Sequence, residues 1–573
     1  MPLSPNARRP NAHQPNVRRT FSLLMVSALS LGIVICGKGF AQDYPQGGEA
    51  VAWPGDQAAA TLSRDPLAVE SPAFIRALAE AASADPVITD FYAARHFAPV
   101  WTGPADAVRR AALFEALAGA EDHALPSARY DAAGLAQALR RAVTEGDRGR
   151  AEVAMTRAYL AWAHDLRGGV LDPAKVDPGI VREIIRPDPA MLLAAIASGD
   201  PATVLHGLLP KSPEYARLMR ARLELSRAVE TDAWGPDLAG AGVKPGSKTA
   251  AVVALRDRLA AMGYLGGSSS AVYDARLRQA VQRFQADHGL RATGIADAAT
   301  VAEINISPEA RLQSVIVAME RLRWMGDAPY GARHIWVNLP EMTAKIVDNG
   351  QVVFQTRAVI GKDVPDQRTP EFSDQMQYMV VNPSWSVPRS ITTKEYLPLL
   401  QRNPNAVSHL QVVDRNGRVV PRSAVNFAAY SARSFPYALR QPPSDGNALG
   451  KVKFMFPNKY NIYLHDTPSK SLFDNQVRAY SHGCIRLSEP FDFAYALLAR
   501  QTDDPQGEFQ THLDSDRESR VNLAAHVPVH LVYFTAWPTA KGRISWRADV
   551  YGRDAALFAA LHAAGVATRA LQN

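Results

Sequence analysis

Apolar residues change period along this chain, and each change marks a new kind of element. From about Pro72 to Asp237 they recur at helical spacing in an Ala- and Leu-rich background. Pro72-Ala73-Phe74-Ile75-Arg76-Ala77-Leu78 opens one helix and Arg150–Leu166 forms another. Phe91, Tyr92, Phe97 and Trp101 read as the packing of a helical scaffold, and nothing there looks catalytic. Three shorter helices follow from about Ser247 to Ile306. The first carries Leu255, Leu259 and Met262 and stops at Gly263; the second carries Ala280, Val281 and Phe284 and ends at His288-Gly289-Leu290; the third starts near Asp297. A helix over Ser307–Trp324 leads into alternating runs. His334–Leu339, Thr343–Val347, Val352–Ile360, Met376–Asn382, Val452–Phe456, Tyr460–His465 and Val527–Phe534 read as strands of a sandwich or barrel. Between Pro388 and Gly450 strand periodicity is poor, the mark of a functional lid or inserted subdomain. Ser488 reads as the N-cap of a helix over Phe491–Arg500, with Pro490 in its first turn, and 554–573 as a closing helix.

Composition changes this picture at the N-terminus. Arg8, Arg9, Arg18 and Arg19 precede an apolar run from Phe21 to Cys36, and Gly39-Phe40-Ala41 offers small residues for cleavage. Residues 1–41 read as a signal peptide or signal anchor, and 42–71, rich in Gly, Pro and Ala, as a flexible tether. An Ile before Cys36, where a small residue is needed, argues against lipidation. The formal net charge is +7, but 1–41 carry five Lys/Arg and no acid, so the remainder is near +2. That excludes reading the basic pI as a nucleic-acid signature. The expected location is the periplasm or cell envelope, with membrane attachment only through an uncleaved leader.

Export leaves one cysteine, Cys484, in a compartment where thiols are usually paired. It lies in Tyr480-Ser481-His482-Gly483-Cys484-Ile485-Arg486, nineteen residues after His465. A histidine within reach could take the thiol proton and return it to a leaving amine. Gly483 lets backbone approach a substrate closely, and Arg486 adds positive potential. Other readings are an inert thiol, an intermolecular disulfide, and zinc held by His465, His482 and Cys484, although no fourth ligand is apparent. A papain-like order would place cysteine early and histidine far downstream, the reverse of this chain.

The spaced signature His465…Ser481-His482-Gly483-Cys484-Ile485-Arg486 resembles that of the L,D-transpeptidase family, whose catalytic fold is the YkuD-type β-domain. Supporting blocks are Ile360-Gly361-Lys362, Thr369-Pro370, Asn382–Pro388, Ile462–Pro468, Val529–Trp537 and Asp549–Asp554. They point to its long, YcbB-like branch. Ala280–Leu290 with Gly294 and Thr300 resembles a three-helix peptidoglycan-binding domain. The resemblance implies a multi-domain α+β chain: helical scaffold 72–241, peptidoglycan-binding domain 247–306, catalytic domain 310–553 with a lid or capping subdomain at 389–450, and helix 554–573. It further implies Cys484 as nucleophile, His465 as base, the Asp466 carbonyl as its orienter, and an oxyanion site framed by the backbone of His482, Gly483 and Cys484. Arg486, Tyr463, Ser481 and Trp385 would line the substrate pocket. No metal or organic cofactor is implied. The implied reaction is thioester formation on a peptidoglycan tetrapeptide with loss of D-alanine, then 3→3 cross-linking to a second stem. Carbapenems would acylate the same thiol, and cell-wall synthases and carboxypeptidases would be partners. Water, a D-amino acid or a lipoprotein lysine are alternative acceptors. A non-catalytic wall-binding scaffold is the reading of a different class.

Overall fold

The computed structural model describes residues 70–540 and 542–566. The leader, nearly all of the tether and 567–573 lie outside the described residues. Among the described residues no helix is long and apolar enough to cross a membrane. The architecture is multi-domain α+β.

The N-terminal region is helical, from Pro72–Ala82 to Pro213–Glu230. Its axis is the helix Glu145–Gly168, longer than its apolar pattern predicted. The Thr144 side chain accepts from the Asp147 N–H at 3.1 Å while the Asp147 carboxylate accepts from the Thr144 N–H at 3.2 Å, a reciprocal cap that fixes the start. Trp101, Tyr159 and Trp162 fill the core against this helix. Glu152 is buried there and accepts from the backbone of Val100, Trp101 and Thr102 and from the Tyr92 hydroxyl, which satisfies a carboxylate that would otherwise be costly to bury.

The three short helices are Ala250–Ala261, Ala275–Asp287 and Ala298–Ile304, packed on Leu255, Leu259, Phe284 and Ile304 as a core of their own. His288 closes the second helix. Its Nδ1 lies 2.8 Å from Glu303 Oε1 and 3.1 Å from Arg311 Nη2, in keeping with a helix-end role.

The C-terminal region is built on β1 (Arg333–Asn338), β2 (Thr343–Asp348), β3 (Gln351–Gly361), β4 (Phe372–Val381), β5 (Trp385–Ser386), β6 (Gln411–Val413), β7 (Val419–Val420), β8 (Ala438–Gln441), β9 (Val452–Met455), β10 (Leu464–His465), β11 (Ala479–Ser481), β12 (Ile485–Leu487), β13 (Ser519–Val532), β14 (Ala536–Pro538) and β15 (Ile544–Trp546). Nine strands form one sheet in the order β11-β3-β12-β10-β9-β4-β13-β1-β2, and β2 also pairs with β3, so the sheet closes on itself. Closure pairs eight strands on both sides, with β11 left at an edge, and buries Ile335, Val337, Phe454, Leu464, Ile485 and Leu531 inside. The first half of β3 serves β2, and its last residues serve β12 and β11.

Two expectations are corrected here. The strand expected over Tyr460–His465 is only Leu464–His465: Asn458 accepts from the Tyr460 and Ile462 N–H groups, and Asn461 sits at φ +55°, a turn that alternation conceals. Ser488 is not the N-cap of the helix Pro490–Leu498. Glu489 holds that place, and the Ser488 hydroxyl bonds the Glu489 carboxylate at 2.8 Å instead. The closing helix runs from Arg553 to Ala563, and 567–573 of the expected 554–573 span lie outside the described residues. The Pro388–Gly450 segment, poor in strand pattern, holds the short strands β6, β7 and β8, which join β5, just ahead of the segment, in a small sheet. Val387, Leu400, Val412, Phe427 and Leu439 form its separate core.

Candidate active site

Cys484 immediately precedes β12, and β12 runs parallel to β10 with Leu464 opposite Ile485 and His465 opposite Arg486. The Ile485 N–H donates to the Tyr463 carbonyl at 3.1 Å, which extends the register one step back. Side chains two apart on a strand share a face, so Tyr463, His465, Cys484 and Arg486 point the same way. Two short parallel strands thus gather four residues from two distant segments.

The turn before Cys484 is tightly held. Ser481 Oγ accepts from the Gly483 N–H at 3.1 Å and donates to the Cys484 carbonyl at 2.5 Å. Gly483 has φ +108°, and a Cβ there would meet Ile462 at 3.1 Å, so glycine is required. Thr369, fully buried, donates to the Gly483 carbonyl at 2.8 Å and accepts from the Gly361 N–H at 2.9 Å. With the Gly483 N–H engaged by Ser481, the N–H groups of His482 and Cys484 are the ones without an acceptor among the described residues.

The half-buried Cys484 thiol donates to the Asn461 carbonyl at 3.5 Å, and the Tyr463 hydroxyl stands between it and the Trp385 indole. No hydrogen bond joins Cys484 to His465. Burial pushes the thiol up to about 11, with Tyr463 and Arg486 acting in the opposite sense. Burial, helped by the Arg486 charge, pushes His465 down to about 3, against the Asp466 and Leu449 carbonyls. The resting pair is therefore neutral thiol and neutral imidazole. His465 Nδ1 donates to the Asp466 carbonyl at 2.5 Å, which puts the basic lone pair of the neutral ring on Nε2. The Asp466 side chain is a strut: it accepts from the Lys451 N–H at 2.9 Å and from Lys470 at 2.7 Å. Arg486 has no carboxylate partner among the described residues, and its buried Nε is unpaired.

His482 is engaged by the inserted subdomain. Its Nε2 donates to Glu395 at 2.7 Å, and Lys394 reaches Asp366 at 2.6 Å, so two contacts tie the inserted subdomain to the rim of the site. Among the described residues no group of three or more His, Cys, Asp or Glu is arranged to hold a metal. Two contributors were missed from sequence. Asn461 carried a usable signal, as Asn tolerates the left-handed turn. Thr369 was noted only within a supporting block, and nothing local revealed that it braces the Gly483 turn.

A thiol and an imidazole thus share one face of a closed β-sheet, in a chain that also holds a helical scaffold and a three-helix module. Residues 332–502 match the model of the L,D-transpeptidase catalytic domain, 248–304 that of the "Putative peptidoglycan binding domain", and 86–221 that of a scaffold domain. The chain is thus built on an L,D-transpeptidase catalytic domain of YkuD type, with a peptidoglycan-binding module and a scaffold domain. It is 31% identical over 244 residues to a protein of Haemophilus influenzae named "Putative L,D-transpeptidase", covering 42% of this chain and 48% of that protein. The chain therefore spans about half the length of the curated relative it matches. An L,D-transpeptidase of Xylanimonas cellulosilytica, known by crystal structure, aligns over 51% of this chain and 98% of its own at 14% identity, with a TM-score of 0.16.

Proposed function

We propose that this chain is a peptidoglycan L,D-transpeptidase that forms 3→3 cross-links through a thioester on Cys484. The observation that carries the reading is the shared face of Tyr463, His465, Cys484 and Arg486, set by the β10–β12 register. The thiol gives its proton to His465 Nε2 as sulfur attacks the carbonyl before the terminal D-alanine of a tetrapeptide stem. The N–H groups of His482 and Cys484 are placed to receive the oxyanion. The C–N bond breaks, His465 returns the proton to the leaving D-alanine amine, and the thioester remains. The side-chain amine of a second stem then attacks, losing its proton to His465; the C–S bond breaks, and His465 returns that proton to the Cys484 sulfur. Arg486 supplies a positive charge for the thiolate and for a stem carboxylate. The module at 248–304 supports a wall substrate.

Purified disaccharide-tetrapeptide incubated with residues 42–573, read by mass spectrometry, tests this. A cross-linked dimer that has lost one D-alanine, absent with Cys484→Ala, is expected. Tripeptide without dimer would make water the acceptor and the chain an L,D-carboxypeptidase. A dimer from a D-amino acid or a lipoprotein lysine alone would move the assignment to exchange or attachment. No product alongside retained sacculus binding would leave a wall-binding scaffold.

A further inference from the structure

A cleft of about 910 Å³ lies where all three regions meet, and none of its walls belongs to the Cys484 pocket. One wall is the helix Pro213–Glu230, the second the three-helix module, and the third the β14–β15 hairpin. Its volume falls in the range of ligand sites, about 300–1,000 Å³.

The helix wall is cationic by design of its period. Arg217, Arg220, Glu224 and Arg227 fall at i, i+3, i+7 and i+10 and face the cleft, while Tyr215, Leu218, Leu225 and Ala228 are buried. Arg220 and Arg227 are exposed and have no carboxylate partner among the described residues, and Arg217 only approaches Glu214 at 3.8 Å. Three arginines thus stand against the single carboxylate of Glu224. The cleft's other arginines are already used: Arg311 on Glu303 at 2.5 Å and Arg543 on Asp287 at 2.6 Å.

Each of the three sides also brings an aromatic ring. Trp234 and Tyr264 are half-buried and open to the cleft, and Trp546 lies at its base under the Arg311 guanidinium at 4.8 Å. Tyr264 is fixed edge-on to Phe284 at 5.3 Å. Aromatic rings in one cleft with the unpaired guanidiniums of Arg220 and Arg227 suit a ligand that carries sugar rings and carboxylates together.

We propose that this three-walled cleft is a second wall-binding site, holding a peptide-bearing glycan strand that is not the reacting stem. The strand's sugars lie on Trp234 and Tyr264, and its stem carboxylates on Arg217, Arg220 and Arg227. The choice of wall polymer rests on the function proposed above, but the site does not use Cys484. Because the scaffold and the hairpin supply two of the walls, the three-helix module alone lacks the cationic face.

Co-sedimentation of the otherwise intact Cys484→Ala protein with purified sacculi tests the site apart from catalysis. Arg220→Glu with Arg227→Glu is expected to weaken binding about tenfold, with Arg291→Glu, an exposed charge of the module outside the cleft, changing it far less. Removing the stems from the sacculi with an amidase should abolish the difference between the parent and the double variant. Restored to Cys484, the double variant should turn over soluble disaccharide-tetrapeptide as the parent does. Parent-like binding by the double variant, or an equal loss in Arg291→Glu, overturns the site. An undiminished difference on stem-free glycan overturns the carboxylate assignment. A chain with no transpeptidase activity that still shows the Arg220/Arg227 effect would refute the proposed reaction and leave the cleft standing.

Discussion

At the scale of single residues, the site is held in a state that chemistry must leave. A thiol pushed up to about 11 beside a histidine pushed down to about 3 does not form an ion pair at rest. Thiolate should accumulate only as pH climbs toward the thiol's raised value. Alkylation of Cys484 by iodoacetamide, followed by intact mass, should therefore rise steadily between about pH 7 and pH 10. A rate independent of pH across the neutral range would mean a preformed thiolate–imidazolium pair and would sink this account. Arg486 carries the opposite lesson. A partly buried guanidinium with an unpaired Nε costs stability, so Arg486→Met should raise folding stability by about 1–2 kcal/mol. The same change should slow acylation about a hundredfold, since the charge facing the thiol is gone. Thermal melts and pre-steady-state acylation separate the two effects. His465, Cys484 and Arg486 were all legible, because their spacing survives in one dimension. That Gly483's N–H is consumed by Ser481 was not, because it depends on a turn closed by a side chain.

At the scale of elements, the turn around Gly483 is braced from β3 and from the loop that follows it. Thr369 Oγ1 makes two buried hydrogen bonds there, and valine, nearly its shape, makes neither. Thr369→Val should cost about 2–3 kcal/mol and lower turnover beyond what unfolding explains, with Thr369→Ser restoring both. Turnover unchanged at matched folded fraction would show that the brace does not position the thiol. The inserted subdomain meets the rim through exposed contacts, His482–Glu395 and Lys394–Asp366, which solvent screens. Replacing both Glu395 and Lys394 by alanine should raise KM several-fold and leave kcat nearly unchanged. A fall in kcat with KM intact would place these residues in the chemistry instead. Helices and long strands were readable from their period. The strands of the inserted subdomain were not, for β5 and β7 are two residues each, too short for alternation to show.

At the scale of the molecule, the order of regions is local information, and the sequence pattern carried it. The joining of scaffold to catalytic domain is not local. The helix Pro308–Met325 is buried nearly all round, with Leu312, Val315, Ile316 and Met319 packed among Tyr215, Leu218 and Leu225 of the scaffold and Trp336, Val532, Phe534 and Leu557 of the catalytic side. Three of its arginines are buried too, among them Arg321 paired with Asp554 and Arg323 with Glu320 at 2.6 Å. A linear reading saw only a helix leading into the strands, whereas it is the centre of a shared core. Arg553 adds to the joint, reaching Asp177 of the scaffold at 2.9 Å and Glu371 of the sheet at 3.2 Å. Cores shared in this way unfold together, whereas the three-helix module, with its own core, can melt apart. Calorimetry of the whole chain should show scaffold and catalytic domain in one transition. A fragment of 310–573, stripped of the scaffold, would expose this apolar face and should aggregate or melt well below the intact chain. Ile316→Ala, which opens a cavity at the joint, should cost about 2–5 kcal/mol and lower that shared transition as one. A monomeric 310–573 fragment that melts with the full chain would show instead that the scaffold is an independent domain resting on the enzyme.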